Sequence, residues 1–180
     1  MASVLSHAVA ALAIGACFYQ PGTPKRVWVV GARCSVIPDL DVIGFHFGVA
    51  YADIDGHRGL LHSLAFALLL AELAAIAARP LRTTRGCAFV FVLVCAASHG
   101  LLDMMTTGGL GVAWFWPFSD ARHFLPWQVI KVSPLTFHRL LSPVGRAVMV
   151  SELQVVWIPA ALLCLMLLAG RRLRNGLASR

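Results

Sequence analysis

The sequence predicts an all-α polytopic membrane protein: a bundle of about five membrane helices, one of them short, under an irregular extracytoplasmic cap. Three observations predict it. The 180 residues are 59% hydrophobic and only 13% charged, with a mean hydropathy of +0.78, far from the balance of a soluble domain. The apolar residues gather into runs of membrane-helix type. Short basic clusters separate those runs.

The first run extends from Val4 to Tyr19. Ile14-Gly15-Ala16-Cys17 loosely resembles a lipoprotein cleavage site, but no Lys or Arg precedes the run, so it reads as a retained helix. The second, Val27 to Ile37, is short and stops at Pro38, whose ring restrains the residue before it. The third is Gly59 to Ala78 and the fourth Gly86 to Thr107, with Gly108 and Gly109 placed to cap the fourth. The fifth is Ala147 to Gly170. Between the last two, Gly108–Arg146 carries Trp114, Trp116, Trp127 and four prolines, and reads as an interfacial cap with room for one amphipathic helix. No polar linker or repeat divides the chain, so residues 1–180 read as a single membrane-embedded domain.

Charge sets the orientation. Lys25 and Arg26, then Arg79, Arg82 and Arg85, then Arg171, Arg172, Arg174 and Arg180 fall on one side if the chain crosses five times. The positive-inside rule makes that side cytoplasmic, with the N-terminus outside and the C-terminus inside a bacterial inner membrane. Arg58, Arg122, Lys131, Arg139 and Arg146 lie on the other side and soften the asymmetry. The net charge of +7 is thus a topology signal, and no nucleic-acid partner is expected. The five cysteines form no CxxC pair and read as small buried hydrophobes.

The polar residues inside the runs carry the chemistry. His99 and Asp103 are the strongly polar pair of the fourth run, and their i,i+4 spacing puts imidazole and carboxylate on one helix face, as metal ligands often are. Counting helical rise from the cytoplasmic end of each run puts His7, Asp39, His62, His99, Asp103 and Glu152 between roughly 18 and 27 Å, one layer beneath the outer headgroups. Pro38-Asp39-Leu40-Asp41 adds two carboxylates on irregular backbone, hard ligands for zinc, manganese or magnesium. His57 and His62 are about 140° apart on a helix, so both face one metal only if His57 precedes it. Arg58 between them is placed to pair with a substrate phosphate or carboxylate. Arg33 and Glu72 share a lower depth and have opposite sign, the pattern of a structural ion pair.

The ordered set His7, Pro38-Asp39-x-Asp41, His57-Arg58-Gly59-x-x-His62-Ser63 and Ser98-His99-x-x-x-Asp103-x-x-Thr106, followed by Trp116-Pro117 and Arg122-His123-Phe124-Leu125-Pro126, resembles the YdjM-like family of bacterial inner-membrane proteins, described as metal-dependent hydrolases. The resemblance covers roughly residues 1–130 and departs at Leu61, where the family often has Thr. The family is in turn distantly similar to all-helical zinc phospholipases C and single-strand nucleases. That similarity implies one metal on Asp41 or Asp39, His62, His99 and Asp103, and a second on His7 and a bridging Asp103. His123, His138 and Glu152 are the only further candidates, without matching spacing.

The expectation is therefore a membrane-bound hydrolase using one or two divalent ions, zinc first, with manganese or magnesium as alternatives. It would cleave a phosphoester of an amphiphilic or phosphorylated small molecule at the bilayer, with Asp39, or Asp41 where Asp39 holds metal, as proton acceptor and Arg58 stabilising charge. The rival expectation is a membrane metal carrier or sensor using the same ligands without hydrolysis.

Overall fold

The computed structural model describes residues 1–18, 23–134, 139 and 141–178. Tyr19, at the end of the first expected span, and His138 lie outside the described residues. Among the described residues the regular structure is all helical, joined by turns and irregular stretches; the β-pairing is limited to two isolated bridges, Thr106 to Ile130 and Val112 to His123. Helices α1 (Val4–Phe18) and α2 (Lys25–Cys34) lead into a 3-10 segment, Ile37–Phe47, that Pro38 opens. A turn-rich stretch and a 3-10 turn, Leu60–His62, precede α3 (Leu64–Ile76), the short α4 (Ala78–Leu81) and α5 (Arg85–Met104). The cap follows, and then α6 (Pro143–Glu152), a π-helical turn (Leu153–Trp157) and α7 (Ile158–Ala178) run on as one long rod.

Among the described residues, two helices are long and apolar enough to cross a bilayer: Arg85–Met104 and the rod Pro143–Gly176. The expected five crossings are therefore not confirmed. α1 and α3 are apolar but have only 15 and 13 residues, about 20 Å of helix against a hydrocarbon core near 30 Å. α2 has ten residues and carries Lys25, Arg26 and Arg33. The rod starts a turn before the expected Ala147 and presents Leu162, Leu165, Met166 and Leu168 to its surroundings, a face suited to lipid and not to water.

Helix α5 is the hub. α3 lies along it, with Ala67, Ala71 and Ala74 buried, the small-residue contact that lets membrane helices approach closely. α1 packs on α2, α5 and α7, and α2 packs on α5. Ala11, Val27, Cys34, Ala88, Phe91, Val92 and Cys95 form a dry core around the first half of α5. Thr84 caps that helix through its hydroxyl, which accepts from the Cys87 amide.

At its other end α5 stops at Met105, earlier than the Gly108–Gly109 cap expected. Gly109 has a φ of +93° and serves a different purpose: a Cβ there would lie 2.8 Å from Arg58 Nη1. Arg33 and Glu72 are both exposed, and no ion pair joins them among the described residues. The physical reason is packing: α2 and α3 each lean on α5, and Arg33 and Glu72 stay on their exposed surfaces.

Candidate metal centre

The polar layer expected from depth forms, and the second half of α5 is its floor. His99 and Asp103 point inward, fully buried. Gly100, between them in sequence, lets α5 approach the His62 turn: a Cβ there would meet the His62 carbonyl at 2.9 Å and the Trp114 ring at 2.5 Å. α1 supplies His7, whose ring stacks on His99 with centroids 3.7 Å apart. The 3-10 segment after Pro38 turns Asp39 and Asp41 inward while Leu40 faces out. His57 and Arg58 come from the turns before α3, so the condition that His57 precede the helix is met, and its ring meets His62 edge-on at 5.2 Å.

Four ligand-type atoms converge. Asp39 Oδ1 is 3.5 Å from His99 Nε2 and 3.7 Å from His62 Nε2, and His62 Nε2 is 3.6 Å from Asp103 Oδ2. A tetrahedral zinc with ligands at 2.0–2.1 Å has edges of about 3.3 Å, so this spacing fits a cation. His99 is aimed by donating from Nδ1 to the Ser35 carbonyl at 2.8 Å, which leaves Nε2 toward the cluster. Potential ligand atoms fall into two groups, Asp39 with His57, His62 and Asp103, and His7 with His99 and Asp103, each within 4.8 Å. Asp103 belongs to both. We place His99 with the first group as well, on its 3.5 Å approach to Asp39.

Asp41 stands behind the imidazoles. Its Oδ1 accepts from His57 Nδ1 at 2.7 Å. Its Oδ2 accepts from the Arg58 amide at 3.2 Å and lies 3.1 Å from His62 Nδ1, off the line of a good hydrogen bond. Burial works to raise the Asp41 carboxyl, and the two histidines outweigh it and hold it below the usual range. His57 is left with a buried, unpaired Nε2.

Arg58 departs from the sequence expectation. Its backbone is left-handed, φ +67°, and the side chain is wholly buried. Nε lies 3.1 Å from Asp103 Oδ2, Nη1 donates to the Gly108 carbonyl and Nη2 to the Thr106 hydroxyl, both at 2.8 Å. The guanidinium is thus spent on internal partners and is not presented to a substrate phosphate. Of the further candidates, Glu152 lies in the layer but not in the cluster: it accepts from the Ser3 amide and from the Ser3 and Ser6 hydroxyls. His123 sits in the cap against Phe115.

Ser35 was not legible in the sequence; its carbonyl orients His99 and its hydroxyl donates to the His7 carbonyl at 3.1 Å. Nor did the sequence show that the Ala2 amide donates to Asp103 Oδ1 at 2.7 Å. Arg122 was legible as part of a motif but not as a clamp, which it forms by donating to the His57 and Asp53 carbonyls at 2.9 and 2.8 Å.

Asp39, Asp41 and Asp103 are buried together beside the Arg58 guanidinium. Burial works to lower the His62 imidazole, and Asp39 and Asp41 outweigh it and hold it up to about 9, so His62 also offers positive charge to the carboxylates. Buried carboxylates need such matching charge, and a bound cation is a further way to supply it.

Helices suited to a bilayer around a buried His/Asp cluster of metal-ligand spacing define the class: an integral membrane protein with a candidate metal centre. The chain belongs to the YdjM inner membrane protein family, which matches residues 1–176. It is similar to the inner membrane protein YbcI of Escherichia coli (strain K12), 44% identical over 173 residues that cover 96% of this chain and all of that one. No solved structure matches.

Proposed function

We propose that this protein is a membrane-bound metal-dependent hydrolase that cleaves a phosphoester of a lipid-like substrate. The observation that carries the reading is the set of buried atoms aimed at one another without a hydrogen-bond partner: Asp39 Oδ1, His62 Nε2, His99 Nε2 and Asp103 Oδ2, of which Asp103 Oδ2 alone has a guanidinium, that of Arg58, beside it. Buried polar atoms left without hydrogen bonds cost free energy that a bound ion would offset.

Those four side chains would hold the ion, with His7 and the other oxygen of Asp103 available to a second. Zinc suits the mixed nitrogen and oxygen set best, with manganese or magnesium as alternatives. A bound divalent cation lowers the pKa of a water and polarises a phosphoryl oxygen. His57, fixed through Nδ1 by Asp41, is the proton acceptor we assign, since its Nε2 is free within the cluster. Asp39, the acceptor expected from sequence, passes to the ligand set. Arg58 holds Asp103 in place and offsets its charge.

A membrane location favours an amphiphile over a soluble nucleotide, and the basic clusters favour a multi-pass arrangement with the site on the extracytoplasmic side. A carrier or sensor is the second reading, supported by enclosure: Asp39 and Asp41, at 5% and 6% exposed, are the most accessible members of the cluster. Metal analysis of the detergent-purified protein beside His99→Ala, followed by a panel of phospholipids and prenyl phosphates, separates the readings. Bound metal with turnover that His57→Asn abolishes supports the hydrolase. Bound metal without turnover supports the carrier or sensor, and absence of metal in wild type overturns both.

A further inference from the structure

A second feature lies outside the metal cluster. Between α1, α2 and the 3-10 segment runs an open, almost wholly apolar groove of about 510 Å³. Leu12 and Trp28 form one wall, Val36, Ile37 and Leu40 the other, and Arg33 lies along it. The guanidinium of Arg33 has no hydrogen-bond or ion-pair partner among the described residues, and no acidic residue lines the groove. Glu72, its expected partner, is on α3, whose main packing partner is α5.

An unpaired guanidinium on an apolar wall in a membrane protein is a cation waiting for an anion. The groove is shaped for a hydrocarbon chain, and the charge selects the head attached to it. We propose that this groove is a binding site for an anionic phospholipid, with an acyl chain along Trp28, Ile37 and Leu40 and the phosphate on Arg33. The proposal rests on the family's membrane location and does not require the cluster to be hydrolytic. The wall formed by Ile37 and Leu40 is the same segment that turns Asp39 inward, so a lipid here lies beside the least enclosed edge of the cluster.

Trp28 makes the site readable. The protein is placed in phosphatidylcholine nanodiscs containing bromine-labelled phosphatidylglycerol or bromine-labelled phosphatidylcholine. The Trp28 contribution to quenching is isolated by subtracting the Trp28→Phe variant. The expected result is preferential quenching by phosphatidylglycerol, reduced about fivefold by Arg33→Gln, the effect of one basic side chain near a membrane surface. Ala32→Leu, which narrows the groove, lowers quenching by both lipids. Arg171→Gln serves as the control, because Arg171 lines a neighbouring groove that also contains Trp28. Equal quenching by the two lipids overturns the proposal, as does a preference that survives Arg33→Gln or follows Arg171→Gln. Arg33 is exposed, so its replacement leaves the fold intact, which circular dichroism checks.

Discussion

The two halves of α5 face opposite environments. Ala88, Phe91, Val92 and Cys95 pack into a core that has no polar group to satisfy. One turn further on, His99 and Asp103 face three other imidazoles, two further carboxylates and a guanidinium, all buried. The first half is complete as it stands, because dispersion and close packing need nothing from outside the chain. The second half holds together through second-layer contacts such as Ser35 to His99 and Asp41 to His57, while the atoms that meet at the centre lack partners. One helix thus joins a region built for stability to one built to be finished by a ligand.

The comparison can be broken most forcefully at Asp103. Asp103→Ala removes a candidate ligand and strands the Arg58 guanidinium, so metal content should vanish and stability fall by about 3–5 kcal/mol. Metal analysis and thermal unfolding in detergent measure the two effects. Phe91→Ala should cost a similar 3–5 kcal/mol by opening a cavity, yet the fraction that stays folded should keep its metal. Loss of metal at unchanged fold would mean the two halves are not separable.

Gly100→Ala tests the seam between them. The added methyl meets the His62 carbonyl and Trp114, so a loss of about 1–3 kcal/mol is expected together with weaker metal binding. Asp41→Asn is finer: it keeps the cluster's shape but weakens the orientation of His57 and His62, for a 10- to 100-fold loss of metal affinity by competition titration. The smallest effect belongs to Arg33 and Glu72, whose double-mutant cycle should give a coupling near zero, within about 0.5 kcal/mol.

The site was more legible in the sequence than the fold around it. The i,i+4 pair on α5 and the Asp-x-Asp after Pro38 are local patterns, and local geometry carries them into the structure almost unchanged. Depth counting gathered His7, Asp39, His62 and His99 correctly, because in a bundle height along the axis is nearly proportional to residue number. It put Glu152 in the same layer but could not separate it from the cluster, since height says nothing of azimuth and its carboxylate is taken up by Ser3 and Ser6. Arg58 was read by its chemistry, whereas its left-handed backbone and its bonds to Thr106 and Gly108 are decided by the cap folding back. The number of crossings is not confirmed, because hydropathy marks α1 and α3 as apolar while their described lengths fall short of a bilayer core.

The contact between Ser3 and Glu152 has a consequence in time. The partners are 149 residues apart, so at 5–20 residues per second the acceptor leaves the ribosome about 7–30 s after the donor. During that interval the segment that brings the Ala2 amide to Asp103 is held by the packing of α1 on α2 and α5 and by the stacking of His7 on His99. The π-helical turn that follows Glu152 fixes Trp157 on Ser6 as well, at 2.8 Å. The last ties of the Ser3–Ser6 turn, to Glu152 and Trp157, therefore form late in synthesis, when the final rod arrives.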